Sequence, residues 1–233
     1  MSSIKNWAES LQKRVYIKWE KNKEFLPYGF SVFYSPVYEN PDILILGYNP
    51  GGKDDSFKPE LEKFSQGDFS LPEKIEYITE NYPLAVKMRN IFSDLGIDLE
   101  KNKIVKTNLI FFRTPSLKEL ELLEKNKENE FDLESFSKKN INEIIAKLNP
   151  KVILCEGINT FYKLIDFLYP NNDLVLNSTI VFNKKSVTIG LETFAENRKI
   201  VGILHPAYRY FNAYEKYVIE FLKEHLTKWL NLT

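Results

Sequence analysis

The sequence contains very little cysteine and histidine. Its 233 residues include one cysteine, Cys155, and two histidines, His205 and His225. One thiol cannot form an intrachain disulfide, nor can it supply the four thiolates of a self-contained iron–sulfur cluster. The two histidines lie in unrelated contexts, which does not suggest a metal site. We therefore expect no metal ion and no other cofactor.

The chain also lacks an excess of charge of one sign and a long hydrophobic run. Thirty-two basic residues balance 32 acidic residues, whereas many nucleic-acid-binding proteins are basic overall. This balance argues against strong non-specific binding to DNA but is compatible with a local basic face. No apolar run approaches the ~20 residues of a membrane-spanning helix, and the first residues do not resemble a secretory signal. We expect a cytoplasmic protein that does not bind membranes.

Short apolar runs of strand length alternate with segments of helical periodicity. The predicted strands are residues 42–46, 104–112, 151–155 and 199–204, and residues 179–189 form a possible hairpin. Parallel strands need crossover connections, so this alternation favours a parallel sheet covered by helices on both faces. We predict a single α/β domain over residues 1–233, with an N-terminal helix within residues 1–24 packed on it.

Two polar loops follow predicted strands that lie far apart in the sequence. Residues 43–46 (ILIL) lead into residues 47–52 (GYNPGG), and residues 200–204 (IVGIL) lead into residues 205–210 (HPAYRY). A third polar segment, residues 107–115 (TNLIFFRTP), overlaps the second predicted strand. Ligands of open α/β sheets bind outside the carboxyl ends of the strands. We therefore expect the three segments to surround one crevice.

These segments resemble motifs of the uracil-DNA glycosylase superfamily. Its members carry a G-x-(D/N/E)-P-(Y/G) loop, a middle strand with an Asn, and a late H-P-(S/A) loop. The GYNPG loop is similar to the mismatch-specific branch. The segments TNLIFFRTP, NPKVILCEG (residues 149–157) and HPA are similar to the iron–sulfur branch, although the cluster cysteines are missing. The resemblance extends from about residue 41 to residue 211. It implies a three-layer α/β/α sandwich with a central four-stranded parallel sheet.

The resemblance implies roles for individual side chains in excising uracil or a related deaminated base from DNA. Asn49 would orient the attacking water through its side-chain carbonyl, because an amide can hardly deprotonate water. His205 would donate a hydrogen bond to uracil O2 while neutral. Asn108 would recognise the base edge, since a carboxamide offers both a donor and an acceptor. Asp54 or Asp55 could supply a nearby carboxylate, or could simply cap a helix.

Further residues of the same motifs would line the substrate site. Gly47, Pro50 and Gly51 would shape the first loop, and Pro206 and Ala207 the last one. Phe64 lies nearest to the family's spacing for a ring that stacks on the base, and Tyr48 could form another wall. Arg209 stands where relatives insert a side chain into the gap left by the flipped nucleotide, and its alternative is a solvent-facing arginine.

The sequence leaves two functions open. The first is a monomeric DNA glycosylase of base excision repair, acting on uracil-containing or mismatched DNA. The second is a superfamily member that binds DNA, or a modified base or nucleotide, without hydrolysis. Neutral charge and the missing carboxylate at Asn49 favour the second function, whereas the set Asn49, Asn108 and His205 favours the first. Any local basic face would involve five residues near the site segments: Lys53, Lys87, Arg89, Arg113 and Arg209.

Overall fold

The computed structural model describes residues 3–52, 57–125, 131–169, 176–182 and 185–230. In these ranges the strands are β1 (Ile43–Gly47), β2 (Ile104–Asn108), β3 (Val152–Glu156), β4 (Leu176–Phe182), β5 (Lys185–Ala195) and β6 (Arg198–Ile203). The α-helices are α1 (Ile4–Glu20), α2 (Lys58–Ser65), α3 (Glu76–Thr79), α4 (Pro83–Asp94), α5 (Leu117–Lys125), α6 (Leu133–Leu148), α7 (Ile158–Leu168) and α8 (Glu215–His225).

The six strands form one sheet in the order β2-β1-β3-β6-β5-β4. The first four strands in this order are parallel to one another, whereas β5 pairs antiparallel with both β6 and β4. All four predicted parallel strands are present, but the prediction of a four-stranded sheet is wrong. The predicted hairpin is the pair β4–β5, and it extends the sheet beyond β6. Its turn residues 183 and 184 lie outside the described residues.

A tight turn attaches this hairpin to the parallel strands. Glu196 and Asn197 connect β5 to β6, and both have positive φ angles, 49° and 63°. Two such residues are what a type I′ hairpin turn requires. The eleven-residue strand β5 therefore folds back directly onto β6, with Ala195 opposite Arg198.

Helices cover both faces of the sheet because nearly every residue of the parallel strands is buried. Side chains alternate between faces along a strand. Leu44 and Leu46 face one hydrophobic cluster, which includes residues of α1, α6 and α7. Ile43 and Ile45 face a second cluster, which includes residues of α4 and α8. The fold is thus α/β with a mostly parallel sheet, and no helix in the described part is long and apolar enough to cross a membrane.

The order of the parallel strands determines where a ligand crevice is expected. The chain passes from β1 outward to β2 and then returns to the other side of β1 to form β3. Because the strand order reverses at β1, the loops at the carboxyl ends of β1 and β3 lead away from each other. Ligands of open α/β sheets bind in the crevice between two such loops. The first predicted loop, residues 47–52, begins at this point.

Candidate functional site

Polar residues occupy the carboxyl ends of the parallel strands on one face of the sheet. Asn108 ends β2, opposite Gly47 at the end of β1. Glu156 ends β3, and His205 follows β6 by two residues. Asn108 and Glu156 continue the alternation of buried residues that face the α4 and α8 side. His205 lies close enough to Lys106, on that side, for the Lys106 charge to lower its pKa. The structure therefore brings Asn108 and His205 to the same edge and face of the sheet.

The Asn108 side chain lies across the end of β1, where only a glycine leaves room. A Cβ atom on Gly47 would lie 2.0 Å from Asn108 Oδ1 and 3.5 Å from Glu156 Oε2. Asn108 is 5% exposed. No hydrogen bond from its carboxamide to another described residue is seen, and its atoms are not among the fully buried polar atoms that lack a partner. A largely buried carboxamide that still reaches the crevice can bind a ligand through its donor and its acceptor.

His205 packs against the end of β3 in a defined tautomer. A Cβ atom on Gly157, whose φ is +124°, would lie 3.4 Å from His205 Cδ2. The backbone N–H of Ala207 donates to His205 Nδ1 at 3.1 Å, so Nδ1 carries no proton and Nε2 carries it instead. Burial, with a smaller effect of the Lys106 charge, lowers the pKa of His205. The site therefore holds a neutral imidazole whose Nε2–H is a donor.

Asn49 is held by the loop that follows β2. Its Nδ2 donates to Pro50 O at 3.0 Å and to Thr114 Oγ1 at 2.9 Å. The Thr114 N–H donates in turn to Pro50 O at 3.2 Å, which ties the two loops together. Both amide hydrogens are thereby engaged, and Oδ1 is the atom left to accept a hydrogen bond from water. Asp54 and Asp55, the alternative carboxylates, lie outside the described residues.

A buried charge network lies beneath Asn108 that the sequence reasoning missed. Lys106 Nζ is 2.7 Å from Glu76 Oε1 and 2.9 Å from Glu156 Oε2. Lys106 also donates to the Tyr77 hydroxyl, which donates to Glu156. Burial and the charge of Glu76 raise the pKa of Glu156 well above its usual value. Two carboxyl groups thus share one cation, Lys106, whose own pKa is lowered by burial.

A signal for this network is present in the sequence. Lys106 interrupts the apolar run of β2, and Glu156 ends that of β3. A charged side chain in a buried strand must have a partner, because an isolated buried charge is very costly. The partners of Lys106 lie on α3 and β3, so their identity depends on the fold.

Two predicted aromatic residues lie elsewhere. Phe64 stacks on Phe30 and Phe69, with ring centroids 5.1 and 5.4 Å apart, and Tyr48 packs against the same cluster on the opposite face of the sheet. The structure does not bring either ring together with Asn108 and His205. A further aromatic residue, Tyr82, precedes α4, and burial together with the Glu76 charge of the buried network raises the pKa of its hydroxyl.

The HPA loop is held against α4. Lys87 Nζ donates to the carbonyl of the buried Pro206 at 3.0 Å. Ala207 and Arg209 are exposed, and the Arg209 guanidinium carbon lies 5.3 Å from the centroid of the Tyr210 ring. This loop therefore combines the His205 donor with an exposed cation and aromatic ring.

Most of the predicted basic face has other partners. Arg89 donates to the Tyr77 carbonyl at 2.9 Å, and Arg113 is buried and paired with Glu60 at 2.9 Å. Lys53 lies outside the described residues. Local positive charge at the site thus depends mainly on Lys87 and Arg209.

Cysteine and metal chemistry have no visible role among the described residues. Cys155 is buried within the sheet, and burial raises the pKa of its thiol. In this part of the chain no three His, Cys, Asp or Glu side chains are grouped as metal ligands.

No protein-family model matches the chain, and a search of curated proteins finds no similar sequence. The functional assignment must therefore come from the loop motifs and from the geometry of the crevice.

Proposed function

We propose that the protein is a DNA glycosylase that hydrolyses the N-glycosidic bond of uracil or a related deaminated base. The main support is the largely buried Asn108 carboxamide, which lies at the same sheet edge as the neutral His205 ring. Asn49, from the loop after β1, supplies the third group. The four central parallel strands and the helices on both faces support the three-layer α/β/α sandwich of this superfamily, with β4–β5 as an extension. We also propose that the protein is cytoplasmic.

His205 is suited to stabilise the departing base. Cleavage of the C1′–N1 bond leaves negative charge on the base and positive charge on the sugar. Preorganised donors in a water-excluded site act strongly on such developing charge. The His205 Nε2–H would donate to O2 of the base, and it does so without a positive charge, because the Ala207 N–H occupies Nδ1.

The raised pKa of Glu156 favours the same reaction. A proton on Glu156 would leave the Glu76–Lys106 pair beneath Asn108 neutral overall. A second ionised carboxylate at this depth would repel the anionic base as it leaves. The network would then hold Asn108 in a buried polar setting without adding net negative charge.

Asn108 and Asn49 would bind the base and the water. A base must leave the helical stack before an enzyme can reach its glycosidic bond, and Asn108 would recognise the edge of the extruded base. Asn49 Oδ1 would orient the water near C1′, although it cannot act as a strong base. We therefore expect slower turnover than in relatives with a carboxylate at this position.

A wild-type excision assay separates this proposal from the alternative of binding without hydrolysis. Oligonucleotides that contain uracil, hypoxanthine or xanthine would be offered as single strands and as mismatched duplexes. We expect release of at least one free base, detected by mass spectrometry, with a matching abasic site in the DNA. Bound DNA without any abasic site would contradict the glycosylase proposal and favour the non-catalytic alternative.

A further inference from the structure

The loop after His205 displays two aromatic side chains and a cation side by side. Tyr208 is 44% exposed and Tyr210 is 55% exposed. Their ring centroids are 5.8 Å apart in an edge-to-face arrangement, and Arg209 lies over the Tyr210 ring. Single exposed aromatic residues are common on proteins. Two of them with an arginine between form a continuous surface, and the core does not account for it.

This surface is fixed at both ends. Lys87 holds the Pro206 carbonyl, and the Tyr208 N–H donates to His205 O at 2.8 Å. Phe211 is fully buried, and its N–H donates to Tyr208 O at 2.9 Å. The rings are therefore presented on an ordered loop, so that less conformational entropy is lost when a ligand covers them.

We infer that Tyr208, Arg209 and Tyr210 form a stacking surface for the unpaired bases beside the target nucleotide, and that the preferred substrate is single-stranded DNA. This inference rests on the proposed function, which brings the target nucleotide to His205. Aromatic rings bind single strands by stacking on successive bases with little sequence preference, and arginine adds cation–π attraction. The bases of a duplex already stack on one another and cannot use such a surface without being opened.

The charge of the protein supports the same substrate. The chain is neutral overall, and Lys87 and Arg209 are the main cations at the loop. Proteins that bind duplex DNA rely heavily on phosphate contacts, for which the described part of this site offers few groups. Arg209 stacked on Tyr210 also differs from the wedge expected from the sequence, since a wedge would have to leave that ring.

Binding of DNA without a target base tests the surface separately from catalysis. The probes are a fluorescent single-stranded oligothymidylate and a duplex of the same length, measured by anisotropy. We expect Tyr208→Ala and Tyr210→Ala each to weaken single-strand binding on the order of tenfold, because each removes one stacking ring. Duplex binding should change by less than about twofold, since a closed duplex does not use the rings.

The matched control is Phe194→Ala. Phe194 is 47% exposed and pairs with the Trp229 ring at 5.2 Å, but it lies opposite Lys199 near the amino end of β6. The Phe194→Ala substitution therefore removes an exposed ring far from the site, and we expect DNA binding by this variant to be unchanged.

Salt dependence distinguishes stacking from phosphate attraction. The slope of log K against log salt is about −0.7 per phosphate contact for single strands. The tyrosine variants should keep the wild-type slope, and a shallower slope in them would contradict stacking.

Unchanged single-strand affinity in both tyrosine variants would overturn the inference, as would a larger loss on duplex DNA, which would indicate a wedge. Excision by the wild type with unchanged binding by the variants refutes the stacking surface alone. Absence of excision with a tenfold binding loss refutes the glycosylase proposal alone.

Discussion

Gly47 offers a way to displace Asn108 without changing it. Because a Cβ atom at this position would lie 2.0 Å from Asn108 Oδ1, Gly47→Ala must move the carboxamide away from the base edge. We expect base release to fall roughly a hundredfold, the loss of two hydrogen bonds of about 1.5 kcal/mol each. Single-turnover excision measures this change, and a urea titration establishes that the variant is folded.

Asn108→Ala provides the comparison for this substitution. If Gly47→Ala acts by displacing the Asn108 carboxamide, the two substitutions should not be additive, and the double variant should excise no more slowly than Asn108→Ala alone. Excision by Gly47→Ala at the wild-type rate would remove Asn108 from base recognition.

The ionisation of His205 gives a pH-dependent prediction. Burial and the Lys106 charge lower its pKa, and the Ala207 N–H at Nδ1 opposes protonation there. The excision rate should thus be constant at pH values above the unperturbed histidine pKa of about 6.5 and should fall only in more acidic solution. Nitrogen-15 NMR should detect the Nε2–H tautomer, and a pKa at or above the unperturbed value would contradict the assigned role.

The same ionisation affects stability with a defined sign. A histidine whose pKa is lower in the folded state binds protons more weakly there than in the unfolded chain. The stabilising contribution of His205 is therefore present at pH values above its pKa in the unfolded chain. It is lost as the pH falls through its pKa in the folded protein.

At the scale of strands and helices, the sequence predicted what depends on local pattern. Apolar runs identified the four parallel strands because both faces of each are covered. The polar loops after β1 and β6 indicated the edge at which we propose that a ligand binds. The strand order was not predictable, and neither was the addition of β4 and β5. The turn at Glu196 and Asn197 contains no glycine, which is the usual signal for a type I′ turn.

The Lys106 network also depends on strand order. Lys106 meets Glu76 and Glu156 only because α3 packs over β2 and β3 on the same face. Phe64 illustrates the opposite case. Its sequence spacing suggested a base-stacking ring, but the neighbouring Phe30 and Phe69 engage it in an aromatic cluster.

Removal of the buried cation should destabilise the fold strongly. Lys106→Met leaves Glu76 and Glu156 without their shared partner, and breaking a buried pair costs about 3–5 kcal/mol. Lys74→Met is the control, because Lys74 pairs with Glu100 on the surface and such pairs contribute little. Urea unfolding of both variants measures the difference. Similar midpoints for the two would contradict a structural role of the network.

Glu156 should make stability depend on pH in the opposite sense to most carboxyl groups. Its pKa is raised in the folded state. The unfolded chain therefore releases this proton above the ordinary glutamate pKa of 4.5, whereas the folded protein binds it more tightly. Stability should therefore decrease as the pH rises between the unfolded and folded values. Glu156→Gln should flatten this part of the profile of melting temperature against pH. An unchanged profile would indicate that Glu156 is ionised in the folded protein.

At the scale of the whole molecule, balanced charge and a polar crevice belong together. A neutral protein gains little from long-range attraction to DNA, so the proposed recognition of DNA would come from groups close to the target nucleotide. Asn49, Asn108 and His205 are contributed by loops or strand ends that are distant in sequence and adjacent to one sheet edge. The motifs suggested these three residues, whereas the buried groups beside them could be found only from the fold.

Single-turnover excision and DNA binding by wild type, His205→Ala and Asn49→Ala on the same substrate test the central claim most directly. Both residues would act mainly on the transition state, the first on the leaving base and the second on water. Each substitution should slow excision on the order of 100-fold or more, the usual cost of removing one preorganised group, while binding changes little. Excision by either variant at close to the wild-type rate would contradict the role assigned to that residue, and with it the proposed mechanism.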